Sequence, residues 1–243
     1  VTFWQTMDMF KMRKDKKIEL SMRQQIQEAI DKIKSTGERL DDTVATPVTN
    51  KLFFVNKDCE KLDKEKSEIF HSVTAKVLFI TKRVRPDLET TVAFLCTRVS
   101  KSDLDNWKKL KRMMGFLKRT IDDLRIIGAT SLTDVYTWID VAYTVHNNMH
   151  SQTGGAMSMG HGIMHGRSSK QKLNTKSSTE AELVGVSEYI PYNIWFLHFF
   201  AHQGYKISKN ILYQDNQSTI HMEKNGCNSC TSNSRHIDIR YFL

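Results

Sequence analysis

The sequence has few cysteines and no long apolar run. Four cysteines among 243 residues do not suggest a disulfide framework, so an intracellular, reducing compartment is expected and secretion is not. No apolar stretch approaches the roughly 18 residues that span a bilayer, so no membrane partner is expected. The opening VTFWQTMDMF lacks the basic leader and apolar core of a secretory signal. Cys227-x-x-Cys230 is half of a zinc pattern without its second half, and we interpret it as incidental, a metal or redox site being the alternative.

Positive charge is concentrated in the first half. The chain carries 36 Lys+Arg against 27 Asp+Glu, a formal net charge of +9. Residues 1–125 hold 27 basic and 19 acidic side chains (+8), whereas residues 126–243 hold 9 and 8 (+1). A polyanion such as nucleic acid is therefore a candidate partner of the first half, and a solvated lysine-rich face is the alternative.

The first half is predicted to be mainly helical. The apolar residues of the first helix share one face: Met22, Ile26, Ile30 and Ile33. Residues 41–68 are typical of a connector, and helices are expected over 69–82 and 86–100. The next helix, NWKKLKRMMGFLKRT, is apolar on one side and basic on the other. Three of its lysines are candidates to face phosphates, with a structural role as the alternative: Lys108, Lys111 and Lys118.

The second half changes to a strand pattern. DVYTWIDVAYTV alternates and is rich in Val, Tyr, Ile and Trp, which predicts a strand. TGG at 153–155 is predicted to form a turn, and two short strands are expected around GHG at 160–162. TEAELVGVSEYI predicts a helix that Pro191 kinks or restarts. NILYQD then predicts a strand and NQSTIHMEKNG a helix, so the order is three strands, helix, strand, helix.

Four carboxylates fall within a strand, near a helix start, at a strand end and in the terminal segment, respectively: Asp140, Glu182, Asp215 and Asp238. Clustered carboxylates repel one another unless a cation neutralises them, and Mg²⁺ prefers oxygen ligands. Two such ions, roughly 4 Å apart, activate water and stabilise the leaving oxygen in phosphodiester cleavage.

Most of these acids also have an ordinary structural interpretation. Asp215 fits a helix N-cap, Glu182 and its neighbour Glu180 each fit a capping box, and Asp238 fits a surface ion pair. Asp140 is the exception, because Asp is disfavoured within a strand. Spacing alone leaves both interpretations open.

A resemblance favours the metal site. SSTEAEL, YQDNQS and RHIDIRYF, in this order after WIDVAY, resemble the ribonuclease H domain of copia-type retrotransposon polyproteins. The resemblance implies an α+β or α/β fold over 126–243, truncated at its C-terminus. Its ribonuclease H-like mixed sheet has three antiparallel strands, then a parallel strand, with flanking helices.

The same resemblance implies the site. The family's metal-binding carboxylates correspond to Asp140, Glu182, Asp215 and Asp238, which would bind two Mg²⁺ ions, with Mn²⁺ as a substitute. Glu182 is preferred to Glu180 because the apolar pair Leu183-Val184 follows it directly. Four flanking residues are candidates to contact the substrate backbone, with helix capping as the alternative: Ser178, Thr179, Asn216 and Gln217.

The resemblance extends upstream. ATPVTNKL, VLFITKRVRPDLETTVAFLCTRVS and NWKKLKRMMGFLKRT resemble the end of the copia-type reverse transcriptase region. Residues 1–125 are therefore expected to be its thumb and connection. The polymerase Tyr-x-Asp-Asp turn is absent, and IDDL at 121–124 imitates it but follows a basic helix. Because the chain starts at Val1, we expect a piece of a longer product.

These implications define the expected function. A reverse transcriptase and ribonuclease H fragment would hydrolyse the RNA strand of RNA–DNA hybrids. The alternative is a catalytically inactive, nucleic-acid-binding remnant. An integrase-like nuclease is disfavoured, because Glu182 comes directly after the three strands. The expected partners are the hybrid and the rest of the polyprotein, with its polymerase palm and integrase, in a cytoplasmic virus-like particle.

Overall fold

A computed structural model describes residues 9–15 and 17–225. The chain divides into two compact units between Gly128 and Ala129. Within the described residues, no helix is both long and apolar enough to cross a membrane. Asp238, Cys227 and Cys230 lie outside the described residues, so the predictions made for them stay predictions.

The first unit combines a small antiparallel sheet with a group of helices. Strand β2 pairs antiparallel with β1 on one side and with β3 on the other. Short 3-10 turns flank the third helix. The elements in chain order are β1 Met9–Met12, β2 Ile18–Ser21, α1 Arg23–Lys34, α2 Lys64–Thr81, α3 Glu89–Cys96, α4 Leu104–Arg119 and β3 Arg125–Ala129.

Apolar helix faces form the core of this unit, as the spacing predicted for α1. Four α1-face side chains are at most 1% exposed: Met22, Ile26, Ile30 and Ile33. The sequence prediction placed the start of α2 too late, at residue 69 and not at Lys64. Asp63 accepts a hydrogen bond from the Lys66 N–H at 2.8 Å and caps the helix, so its charged first turns lie in what the sequence suggested was a connector. The predicted helix from 86 to 100 is also shorter, since α3 ends at Cys96.

Helix α4 begins where the sequence indicated. Asp103 accepts a hydrogen bond from the Asn106 N–H at 2.8 Å, and Trp107, Leu110 and Leu117 are buried. The IDDL segment forms a turn after α4, and its exposed Asp122 pairs with Arg23 at 2.7 Å.

The second unit has a four-stranded mixed sheet in the order β7-β5-β4-β8. The pairs β4–β5 and β5–β7 are antiparallel, and β4–β8 is parallel. The elements are β4 Asp134–Ala142, β5 Gln152–Ser158, β6 Gly160–His161, β7 His165–Lys170, α5 Ser178–His202, β8 Lys209–Tyr213 and α6 Gln217–Asn225.

Buried and more exposed residues alternate along β4, which gives the strand a core face and an outer face. Val135, Thr137, Ile139 and Val141 are buried, and α5 packs against the sheet on this side. The predicted fold class is confirmed: the described residues form a mixed α/β structure consistent with a ribonuclease H-like α+β fold, preceded by a mainly helical segment.

The predicted turn at 153–155 is wrong. Gly154 and Gly155 lie inside β5, opposite Asp140 and Ile139 of β4. The reason is packing: a Cβ at Gly155 would lie 2.1 Å from the Tyr189 ring, so only glycine lets α5 approach the strand this closely. The chain turns before β5 instead, over residues 143–151.

Pro191 does not restart the helix. Helix α5 is 25 residues long and continues through Pro191 without a break. Tyr189 and Asn193 on either side are both buried, and Asn193 Nδ2 donates to Thr137 Oγ1 of β4 at 2.9 Å. Packing against the sheet on both sides of the proline therefore outweighs the lost backbone hydrogen bond.

Candidate metal centre

Two parallel strands bring two aspartates to the same edge of the sheet. The β4–β8 pairing runs from Asp134 opposite Lys209 to Trp138 opposite Tyr213. Asp140 follows two residues after Trp138, and Asp215 follows two residues after Tyr213. Equal offsets from one pair keep the two side chains at the same height, because both strands run in the same direction.

Helix α5 supplies the third carboxylate. Glu182 is its fifth residue and lies where the first turns of the helix pack against β4. One oxygen from each of Asp140, Glu182 and Asp215 lies within 4.8 Å of the others. Asp140 and Asp215 are exposed, whereas Glu182 is only 6% exposed. The cluster therefore has one buried member and two that face solvent.

Asp140 lies on the outer face of β4. Trp138 and Ala142 are exposed on the same face, while Ile139 and Val141 point into the core. Across the ladder Asp140 faces Gly154, which has no side chain to crowd it. The Val141 N–H donates to Asp140 Oδ1 at 2.9 Å, which orients the carboxylate.

Burial makes Glu182 reluctant to ionise. The pKa of Glu182 is raised from 4.5 to about 7, mainly by desolvation and also by the nearby charges of Asp140 and Asp215. The Gln214 amide and the Val141 N–H oppose this shift by hydrogen bonding to the carboxylate. The charged neighbours that act on Glu182 are thus both anionic, and a cation placed among the three carboxylates would stabilise all of them.

The structure separates the two neighbouring glutamates. Glu180 is buried at the start of α5, where its N–H donates to Ser177 Oγ at 3.1 Å and its Oε2 accepts from the Lys176 N–H at 2.7 Å. These are helix-capping bonds. The alternative capping box starting at Thr179 does not form, since Ser177 is the N-cap. Glu182, and not Glu180, belongs to the carboxylate cluster.

The four candidates to contact the substrate backbone differ in their surroundings: Ser178, Thr179, Asn216 and Gln217. Asn216 caps α6, because its Oδ1 accepts from the Thr219 N–H at 3.0 Å; the proposed cap role of Asp215 is therefore taken by its neighbour. Thr219 Oγ1 donates to the Thr179 carbonyl at 3.3 Å and links α6 to α5. Ser178 and Gln217 are exposed at the first positions of these two helices.

Two of the three candidate phosphate-facing lysines are already paired. Lys111 Nζ lies 2.5 Å from Glu38 Oε2, and Lys118 Nζ lies 2.5 Å from Asp42 Oδ2. Lys108 is exposed on α4. The charge that this helix presents to a polyanion is therefore lower than its lysine count suggests.

Sequence reasoning missed Gln214. Its Nε2 donates to Glu182 Oε2 at 3.1 Å, which makes it a direct neighbour of the cluster. In the sequence it is only a polar residue between a strand and an aspartate. Its position immediately before Asp215 was the available signal.

Comparison with known proteins shows a similarity along nearly the whole chain. The chain is 25% identical over 240 residues, 97% of its length, to the retrovirus-related Pol polyprotein from transposon TNT 1-94 of Nicotiana tabacum. The chain spans only 18% of the length of that curated relative. No protein-family model matches the chain, and no solved structure matches it.

Proposed function

We propose that the chain is part of a retrotransposon reverse transcriptase and ribonuclease H, and that its second unit hydrolyses the RNA strand of RNA–DNA hybrids. The observation that carries this proposal is the convergence of Asp140, Glu182 and Asp215, with ligand oxygens within 4.8 Å. The similarity to a retrovirus-related Pol polyprotein over 97% of the chain supports its origin in such a polyprotein.

The donor set fits Mg²⁺. Three carboxylate oxygens converge, and Mg²⁺ takes a few carboxylates together with waters and substrate phosphates. Burial, with smaller contributions from the charges of Asp140 and Asp215, raises the pKa of Glu182 to about 7, and a cation among the three oxygens would favour the ionised form. Asp140, Glu182 and Asp215 would hold the ions, with Asp238 as a further proposed ligand, and Mn²⁺ would suit the same oxygens. Bound ions supply stabilisation of the charge that develops on the cleaved phosphate.

The protein's own residues would position the hybrid. Exposed Asp140 and Asp215 leave the cluster open on one side, where a phosphodiester can approach. Ser178 and Gln217 are exposed at the starts of α5 and α6, and in this proposal they donate to the nucleic-acid backbone. Recognition of a hybrid rests on groove shape and 2′-hydroxyls, so no base contact is required.

Lysines of the first unit would add contacts to phosphates. The remainder of the polyprotein would supply the polymerase palm and integrase, and a cytoplasmic virus-like particle is the proposed location.

The test is cleavage of a labelled RNA–DNA hybrid by the full chain in Mg²⁺. We expect nicks in the RNA that leave a 3′-hydroxyl and a 5′-phosphate, and no cleavage of duplex DNA. Asp140→Asn should abolish cleavage and retain hybrid binding, because the amide keeps the shape and loses the charge. Glu180→Gln should be milder than Glu182→Gln. A chain that binds hybrid and never cuts would instead be a nucleic-acid-binding remnant.

A further inference from the structure

Both ends of the Gln214 side chain are engaged. Its Oε1 accepts a hydrogen bond from the Asn216 N–H at 3.0 Å, and its Nε2 donates to Glu182 Oε2 at 3.1 Å. Asn216 is itself fixed as the cap of α6. The Gln214 amide therefore links the end of β8 to the buried carboxylate on α5, and its direction is set by two bonds rather than one.

This link restrains the orientation of the Glu182 carboxylate within the cluster. Oε2 is bonded to Gln214, while one oxygen of the same carboxylate lies within 4.8 Å of oxygens from Asp140 and Asp215. A carboxylate held at one oxygen cannot rotate freely about its terminal bond. The orientation of the Glu182 carboxylate toward Asp140 and Asp215 is therefore restrained by Gln214.

We propose that Gln214 is a positioning residue for Glu182, an inference that rests on the metal-binding function proposed above. An amide suits this task, because it donates to a carboxylate without carrying charge. A lysine here would compete with the ion for the cluster, and a carboxylate would add repulsion. An apolar side chain would leave the buried Glu182 oxygen without this donor, which is unfavourable. Partners that orient ligand side chains typically change metal affinity by about 10- to 100-fold.

The direct test is Mn²⁺ binding to the full chain, measured by electron paramagnetic resonance of the free ion. Gln214→Met keeps the length of the side chain and removes both hydrogen bonds, and we expect about tenfold weaker binding. Gln203→Met is the matched control: Gln203 is exposed at the far end of α5, and its variant should bind Mn²⁺ like the unsubstituted chain. Circular dichroism establishes a temperature at which every variant is folded.

A double-mutant cycle separates positioning from a structural role. If Gln214 acts through Glu182, then Gln214→Met should cost no further affinity in a chain that already carries Glu182→Ala, which has no side-chain oxygen for Gln214 to position. An additive loss in the double variant would overturn the proposal, because Gln214 would then act through the fold.

Asp140→Asn distinguishes failure of this inference from failure of the function. If Gln214→Met binds Mn²⁺ normally while Asp140→Asn does not bind it, the positioning role is wrong and the metal site stands. If the unsubstituted chain binds no more Mn²⁺ than Asp140→Asn, the metal site fails and the role of Gln214 fails with it.

Discussion

Replacing Glu182 with Gln tests two effects of its buried carboxylate: the folding stability that its charge removes and the metal affinity that it is proposed to provide. Glu182 is 6% exposed, and burial is the main reason that its pKa rises from 4.5 to about 7. Gln has nearly the same shape, stays neutral at every pH and can still accept from Gln214. The substitution therefore removes the charge and leaves the packing of α5 against the sheet in place.

The pH dependence follows from the direction of the shift. The folded-state pKa of Glu182 lies above the unfolded value, so the folded state favours its protonated form. The contribution of this preference to folding stability is fully present below about pH 4.5 and is lost as the pH rises through about 7. At about 1.4 kcal/mol for each pH unit, this interval corresponds to about 3 kcal/mol. Without metal, Glu182→Gln should thus be more stable than the unsubstituted chain by up to about 3 kcal/mol at pH 8, and similar to it at pH 4.5.

Mg²⁺ should reverse this order. An ion that binds only the folded state stabilises it by about 2.7 kcal/mol at 100 times its dissociation constant, and Glu182→Gln should lose most of this gain. Amide hydrogen exchange of the β4 peptides reports the opening free energy of the second unit within the full chain. Comparing variants at the same pH cancels the intrinsic exchange rates.

Glu188→Gln is the control for this experiment. Glu188 is on the same helix and burial also raises its pKa, but it lies outside the carboxylate cluster. Its variant should respond to Mg²⁺ like the unsubstituted chain. The reasoning is refuted if Glu182→Gln is less stable than the unsubstituted chain in EDTA at pH 8, or if both respond equally to Mg²⁺.

Two further predictions test the basic helix and the sheet. Lys108→Ala should lower the salt slope of hybrid binding by about one, whereas Lys111→Ala and Lys118→Ala should change it less, because acidic neighbours already pair with them. Equal effects from all three in a salt titration would contradict this. Gly155→Ala should destabilise the second unit by about 1–3 kcal/mol through collision with the buried tyrosine ring 2.1 Å away, as measured by hydrogen exchange. Gly154→Ala is its control, since a Cβ there would meet its nearest neighbour at 3.7 Å; equal losses would refute the packing argument.

Periodic features of this chain could be predicted from sequence, because they depend on neighbours a few residues apart. The buried face of α1 follows from apolar residues spaced three and four apart, and the alternation of β4 from a period of two. Asp140 stood out because it falls within this strand pattern, where Asp is disfavoured. The order of elements then suggested which carboxylates meet.

Features that depend on distant contacts could not be predicted. Gly154 and Gly155 have the composition of a turn but lie in a strand, and the need for glycine at 155 appears only with the approach of Tyr189, more than 30 residues later. Gln214 is a similar case, since its role appears only when Glu182 of another element lies 3.1 Å away. The early start of α2 was missed because Asp63 is one of many charged residues in its segment.

The uneven burial of the three carboxylates explains how the fold can tolerate the cluster and still leave it open to a cation. Asp140 and Asp215 remain hydrated at the sheet edge, so the sheet can hold them close at modest cost. Glu182 bears most of the desolvation, and its pKa of about 7 means that a proton can neutralise it near physiological pH. A metal ion requires the ionised form, so proton and ion compete for the same residue. At this residue, acid would therefore favour the ion-free fold and neutral pH an ion-bound one, so in the proposed metal site the exchange between these two states is concentrated at one buried side chain.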